Sequence, residues 1–389
     1  MRAQQVRSQT PETAADAAAL LAACAADGVA VRIAGAGTKP WGSPGGDCGV
    51  QLRTAALDGI LEHNAGDLTA VLQPGASLRE LDEVFGAAGQ MLALDAPLGE
   101  GDAATIGGVV ATGDCGPLRH RYGAARDLVL GITVALADGS LARAGGKVIK
   151  NVAGYDLAKL YSGSFGTLGL ITEIAVRLHP RPAATATATA TTDDPGLLQR
   201  AAIALAGCPL EAQALDVQWE GHTGSVLARY AGVAAAPQAQ AAERLLGKLG
   251  VDVATTEDDE ALWAHQRTGQ RCTDGTGAVV RVSGRPDTIA DACVAAQIAG
   301  ATLVGRAALG VSWIALPAAA PGELVTAIAR LRKVLAPSPC VVLDAPLPVR
   351  AHLDPWDHVE DAGVVLMRRV KQRFDPTRTC NPGIFVGGI

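Results

Sequence analysis

Aromatic residues are scarce in this chain: four Phe, four Tyr and five Trp amount to 3% of its 389 residues. That leaves little material for platforms on which nucleic-acid bases stack. A basic excess is missing too, because 33 Lys and Arg, scattered along the chain, face 39 Asp and Glu, so no nucleic-acid partner is expected. The longest apolar stretch, Leu128 to Ala137, falls far short of the ~18 residues of a membrane-spanning helix. Met1 to Thr10 is polar and lacks the apolar core of a secretion signal, which makes the cytoplasm the expected location. The eight cysteines form no Cys-x-x-Cys pair and have no closely spaced histidine partners. Reduced thiols are therefore expected, and neither a structural zinc nor an iron–sulfur cluster is.

What is present is a globular composition, 49% hydrophobic with 46 glycines and 21 prolines, long enough for two or three domains of ~150 residues. Thr10 and Pro11 read as the N-cap and first position of a helix that ends at Gly28, and Val29 to Ala34 reads as a strand. Ile60–His63 and Leu68–Leu72 flank Asn64-Ala65-Gly66-Asp67 in a hairpin pattern, and Asp138-Gly139 supplies a second tight turn after Leu128–Leu136. Between them, Ser77 caps a helix whose Leu78, Leu81, Val84 and Phe85 follow a helical period. The Ala/Thr alternation from Ala183 to Pro195 marks a domain boundary, read as an exposed edge strand in preference to a linker. Residues 196–340 mix Ala-rich helices with short strands such as Val226–Tyr230 and Val279–Val282, an α+β pattern with a small sheet. Its Trp219, Trp263 and Trp313 are isolated and read as core fillers. Val359 to Phe374 reads as an amphipathic helix.

Two glycine-rich stretches carry the chemistry. In Gly35-Ala36-Gly37-Thr38, the glycines let backbone N–H groups approach an anion closely. The stretch lacks the third glycine of a dinucleotide fingerprint and the Gly-Lys-Ser/Thr of a phosphate loop, and a plain turn is the alternative. In Asp102 to Gly113, small residues at nearly every position let a backbone lie flat against a large planar ligand, with Thr hydroxyls available to phosphate. A third such stretch, Gly163 to Glu173, enters the last strand of the same region.

Taken in order, Arg-x-x-Gly-x-Gly-Thr-Lys at 32–39, Ala-Thr-Ile-Gly-Gly at 104–108, Tyr-Gly-x-x-Arg-Asp at 122–127 and Gly-Thr-Leu-Gly-x-Ile-Thr-Glu at 166–173 resemble the vanillyl-alcohol-oxidase (PCMH-type) FAD-binding domain. The resemblance spans roughly residues 1–180. Within that superfamily, residues 146–160 and the close Phe374-Asp375-Pro376 with Asn381-Pro382-Gly383 resemble the FAD-binding subunits of bacterial glycolate oxidases. The fold this implies is α+β: a PCMH-type FAD-binding domain of two α/β subdomains over 1–182, a smaller α+β cap domain over 183–345, and a C-terminal segment, 346–389, whose helix returns to the FAD domain.

The resemblance implies that Gly35, Ala36, Gly37 and Thr38, with Lys39, wrap the FAD pyrophosphate, while Thr105, Ile106, Gly107 and Gly108 approach from the other side. Gly169 and Ile171 fall at the ribose–adenine end, Ala111 and Thr112 nearer the flavin ring, and Gly75 and Pro97 complete the set. Covalently flavinylated relatives carry a histidine in or beside the first loop, where this chain has Lys39 and Trp41; non-covalent FAD is expected, and Cys115 reads as a packed thiol rather than a flavin linkage. Oxidation of a 2-hydroxy acid needs a cation for the carboxylate and a base for the hydroxyl proton. Lys150, Tyr155 and Arg121 are the candidates, drawn from a group that includes Arg119, His120 and Lys147; the alternative gives the arginines to backbone carbonyls or FAD phosphates and pairs Lys150 with Asp156. No metal site is expected, since His222 and His265 show no ligand spacing. The implied activity is glycolate oxidation to glyoxylate within a complex that adds a related larger flavin subunit and an iron–sulfur subunit, through which the protein would attach peripherally to the inner membrane. The alternatives are a stand-alone FAD-dependent 2-hydroxy-acid dehydrogenase and a non-catalytic scaffold or electron relay.

Overall fold

A computed structural model describes residues 6–148, 155–272 and 274–389. The first helix runs Ala14–Ala26, not from the expected cap at Thr10 and Pro11. Thr13 is its N-cap: the Thr13 hydroxyl accepts from Asp16 N and the Asp16 carboxylate accepts from Thr13 N, both at 3.1 Å. Thr10 has Thr13, not an acid, three residues on, so it cannot form this reciprocal box.

A two-residue antiparallel pairing of Gln90–Met91 with His179–Pro180 and two larger sheets make the N-terminal part. One is parallel and three-stranded, in the order Arg7–Gln9, Val50–Arg53, Val31–Ala34. The other is antiparallel and five-stranded, in the order Ile60–Asn64, Thr69–Leu72, Leu170–Arg177, Val129–Ala135, Leu141–Gly145. Both predicted hairpins are there, because Asn64–Asp67 and Asp138-Gly139 carry the turn chemistry locally. Helix Ala14–Ala26 ties the sheets together, its Ala17, Ala18 and Leu21 packing with Val31 and Leu52 from one sheet and Ala135 and Leu170 from the other. Helix Leu78–Ala87 buries Leu78, Leu81 and Phe85, while Val84 stays exposed.

The remaining sheet is larger than expected. Eight antiparallel strands run in the order Asp252–Thr256, Thr185–Thr192, Thr223–Ala231, Ala214–Glu220, Thr302–Arg306, Val311–Leu316, Ala278–Ser283, Cys340–Val342. The Ala/Thr strand sits inside this sheet, not at its edge. Ala186, Ala188 and Ala190 let helices Pro195–Ala206 and Ala235–Gly247 close onto one face. On the other face, the Thr187 hydroxyl donates to Asp259 at 2.8 Å and accepts from Trp263 Nε1 at 2.9 Å. Trp219, Trp263 and Trp313 are buried.

The two-residue period of a strand decides what the sheet presents to each side. Val280 and Val282 enter the helix-covered core, and the alternating Val279 lies in a second cluster with Trp41, Trp313 and Leu343, against the N-terminal part. The C-terminal helix, Ala362–Phe374, returns to the five-stranded sheet, where Phe374 meets Tyr161 edge to face at 5.8 Å.

Candidate cofactor cleft

A cleft runs between the end of strand Val31–Ala34, helix Ile106–Thr112, the turn at Phe165–Gly166 and the C-terminal segment. Gly35, Ala36, Gly37, Thr38 and Lys39 line it, with Thr105, Gly107, Gly108, Ala111, Thr112, Gly169 and Ile171 from the other expected stretches. Among the described residues, the N–H groups of Ala36, Gly37 and Thr38 donate to no protein acceptor. Gly37 holds φ at +78°, and a Cβ there would meet open space. These are unspent donors on an open surface, as an anion-binding loop needs.

Gly75, Pro97 and Ile106 do not line the cleft. Ile106 is buried core and its N–H donates to Ala76 O at 3.0 Å. Gly107 N donates to Pro74 O at 2.8 Å, and a Cβ on Gly107 would fall 2.5 Å from Pro74 Cβ. A Cβ on Gly75 would fall 2.2 Å from Thr54 O. Both glycines are needed because backbones cross closely beneath the cleft. The Thr105 hydroxyl caps the helix by accepting from Gly108 N at 3.3 Å, which leaves its own O–H free to donate.

Three groups outside the expected cofactor set shape the cleft; Arg32 and Asn381 belong to the quoted motifs, and Arg350 carried no signal in the sequence. Arg32 and Arg350 line it as cations; Arg32 donates to Pro44 O at 3.2 Å, Arg350 donates to Pro40 O, and Arg350 Nε is buried with no partner. Burial pushes the Arg350 pKa down. Asn381 also lines the cleft, but both ends of its amide are committed: Oδ1 accepts from Ile33 N and Nδ2 donates to Phe165 O, each at 2.7 Å. It fixes the loop's take-off point.

Residues from the segments that connect elements of the eight-stranded sheet hold the loop from above. Arg271 donates to both Asp344 oxygens, at 2.7 and 3.1 Å, and to Thr38 O at 2.7 Å, with its guanidinium 5.3 Å from the Trp41 ring centre. Trp41 Nε1 completes the knot by donating to Asp344 Oδ1 at 2.8 Å. Lys39 points inward, its Nζ 3.5 Å from Asp114 Oδ2. Burial lowers the Lys39 pKa and raises that of Asp114.

Residues 9–145 match the family model described as FAD binding domain. The chain carries an FAD-binding domain. It is 42% identical to glycolate oxidase subunit GlcE of Escherichia coli strain K12 over 127 residues, which is 33% of this chain and 36% of that protein. It is 35% identical to glycolate oxidase subunit GlcD of Bacillus subtilis strain 168 over 176 residues, 44% of this chain and 36% of that one. The matched segments thus span little more than a third of these curated relatives. Among solved structures, p-cresol methylhydroxylase with bound substrate superposes with a TM-score of 0.70 at 15% identity, covering 97% of this chain and 88% of its own. Alkyldihydroxyacetonephosphate synthase does so with a TM-score of 0.70 at 14% identity, covering 96% and 76%. The fold is that of the PCMH-type flavoenzymes.

The open N–H groups of the first loop and the cations Arg32 and Arg350 suit the diphosphate of FAD, which this domain is built to hold. Of the three candidate catalytic residues, the two that are described, Tyr155 and Arg121, do not line the cleft. Lys150 lies outside the described residues. Tyr155 is 91% exposed. Arg121 pairs at 3.2 Å with Glu211 on the surface and does not line the cleft. Asp156, the suggested partner of Lys150, pairs with Lys159 at 3.2 Å, and Lys147 pairs with Glu62. Cys115 is buried outside the cleft with its Sγ 3.6 Å from Arg119, and burial pushes its thiol pKa up. All eight cysteines are unpaired, no cluster of metal-ligating side chains occurs among the described residues, and no helix there is long and apolar enough to cross a membrane.

Proposed function

We propose that this chain binds FAD without a covalent link and takes part in the oxidation of a short 2-hydroxy acid, glycolate first among them. The carrying observation is the loop Ala36–Thr38 with its unspent N–H groups in a cleft that Arg32 and Arg350 also line, in a chain 42% identical over 127 residues to a glycolate oxidase subunit. When bound, FAD supplies the acceptor for the two electrons removed from the alcohol carbon. This chain's residues cradle the diphosphate, and the Arg271–Asp344–Trp41 knot keeps the loop in place and water out from above.

No histidine stands beside the first loop, and the Cys115 thiol is buried away from the cleft with its pKa raised. Acid precipitation of the yellow protein is therefore expected to leave a colourless pellet and a yellow supernatant. A coloured pellet refutes the non-covalent reading.

The proposal includes a complex with a related larger flavin subunit and an iron–sulfur subunit, located in the cytoplasm and attached to a membrane only through those partners. A second reading, in which this subunit relays electrons or supports its partner without turning over substrate, is favoured by the exposure of Tyr155 and the surface pairing of Arg121. Anaerobic glycolate decides between them. Bleaching of the visible flavin band in the isolated subunit is the expected result; bleaching only after the larger subunit is added makes this chain a relay, and none in either case rejects glycolate.

A further inference from the structure

A second, polar cavity of about 170 Å³ lies between Cys115 and the eight-stranded sheet, bordered by Asp114, Cys115, Arg119, Arg281, Ser283 and Trp313. Arg281 alternates with the core residues Val280 and Val282 along its strand, so the register turns it away from the helices and toward this space. Its Nε is fully buried without a partner, and among the described residues no acceptor engages its guanidinium. The Arg119 side chain, across the cavity, donates among the described residues only to the Cys115 sulfur, at 3.6 Å. Of the neighbouring charges, Asp114 attracts Arg281 from a distance but makes no hydrogen bond to it, and among the described residues its own Oδ2 has no hydrogen-bond partner. Asp114 faces Lys39 at 3.5 Å, and Arg306, stacked over Trp313 at 4.9 Å, is committed to Asp216 at 2.6 Å.

Two guanidinium groups with unspent donors in a half-buried space carry a desolvation cost that an anion relieves. Planar forks suit a carboxylate, which they bind through paired hydrogen bonds. Gly113, Asp114 and Cys115 directly follow Ala111 and Thr112 of the cofactor cleft, and Trp41 borders both spaces. The volume is well above what a single water needs and leaves room for an acid of two or three carbons. We infer that Arg119 and Arg281 form a carboxylate pocket, separate from the diphosphate site, that holds the short organic acid beside the end of the cleft lined by Ala111 and Thr112. The identity of the acid as a 2-hydroxy acid rests on the function proposed above; the pocket itself does not.

The test uses the full-length, FAD-loaded protein and oxalate, a two-carbon dicarboxylate that glycolate chemistry does not consume, followed by perturbation of the flavin spectrum and by calorimetry. Arg281→Met and Arg119→Met are each expected to weaken oxalate binding by about 30-fold or more, since a charge-assisted contact is lost. FAD content should be unchanged and Arg281→Lys should recover part of the affinity. Oxalate binding within about twofold of wild type in both Met variants overturns the pocket, and so does wild-type protein that binds inorganic phosphate more tightly than oxalate. Should Arg281→Met fail to fold, Arg119→Met and Arg281→Lys carry the same comparison. Arginine-dependent oxalate binding without reduction by glycolate keeps the pocket and rejects the proposed oxidation. Reduction by glycolate that is indifferent to both arginines does the reverse.

Discussion

Ala36→Glu is expected to give a folded protein without colour. Ala36 is exposed in the cleft on the loop whose N–H groups are free, so a longer side chain there disturbs no packing. Its carboxylate would stand beside the FAD diphosphate. At ~5 Å and an effective dielectric of ~20, each like-charge pair costs about 3 kcal/mol, enough for a 100-fold or greater loss of FAD affinity. Ala319→Glu, an equally exposed site before helix Pro321–Leu335, adds the same charge elsewhere and should keep its flavin. The flavin-to-protein ratio after gel filtration, with circular dichroism to confirm folding, makes the comparison; stoichiometric flavin in the Ala36 variant would mean that the diphosphate lies elsewhere. Gly107→Arg is a poorer probe, because its Cβ collides with Pro74 and any loss of colour would report a displaced helix.

That contrast shows which parts of the site the sequence makes legible. Gly35 to Thr38 follow a strand and leave their donors free, and local composition is enough to suggest an anion loop. Gly75 and Gly107 share the same glycine-rich appearance, yet what excludes a side chain from them is backbone at Thr54 and Pro74, a crossing that exists only in three dimensions. The hairpins were readable because each turn is made by the residues within it. The Ala/Thr strand was readable as a strand but not as an interior one, since its place depends on two helices closing over Ala186, Ala188 and Ala190 and on Asp259 accepting from Thr187. Arg271 and Asp344 stand 73 residues apart in a region whose sequence offered no motif, and they meet only over Trp41. Ion pairs of this kind have no periodicity to betray them.

The C-terminal helix holds the least legible of these pairs, and the second large effect is expected there. Its sequence suggests that Lys371 belongs with Arg368 and Arg369 on a solvated face; instead Lys371 is 4% exposed. Its three donors are matched by Asp375 Oδ2 at 2.6 Å, Thr167 O at 2.7 Å and Cys380 O at 2.8 Å. Asp375 in turn accepts from Thr379 N at 2.9 Å and Cys380 N at 2.8 Å, which shapes the turn that adds to strand Val31–Ala34: Val31 N donates to Thr379 O at 2.8 Å and Asn381 N donates to Val31 O at 2.9 Å. Through Asn381 this turn reaches Ile33 and Phe165, and so the cofactor loop. Lys371→Met leaves the Asp375 carboxylate buried without its cation, a loss of about 3–5 kcal/mol, or a melting temperature lower by roughly 4–6 °C for a chain of this length. Lys371→Met with Asp375→Asn removes both charges and should regain part of that loss, whereas Arg285→Met, on an exposed pair with Asp287, should leave the melt where it was. Because the turn anchors the strand that launches the loop, the single variant should also release FAD more readily at temperatures well below its melt. A Lys371 variant that melts and holds flavin like the wild type would mean that the C-terminal turn is not what fixes the loop.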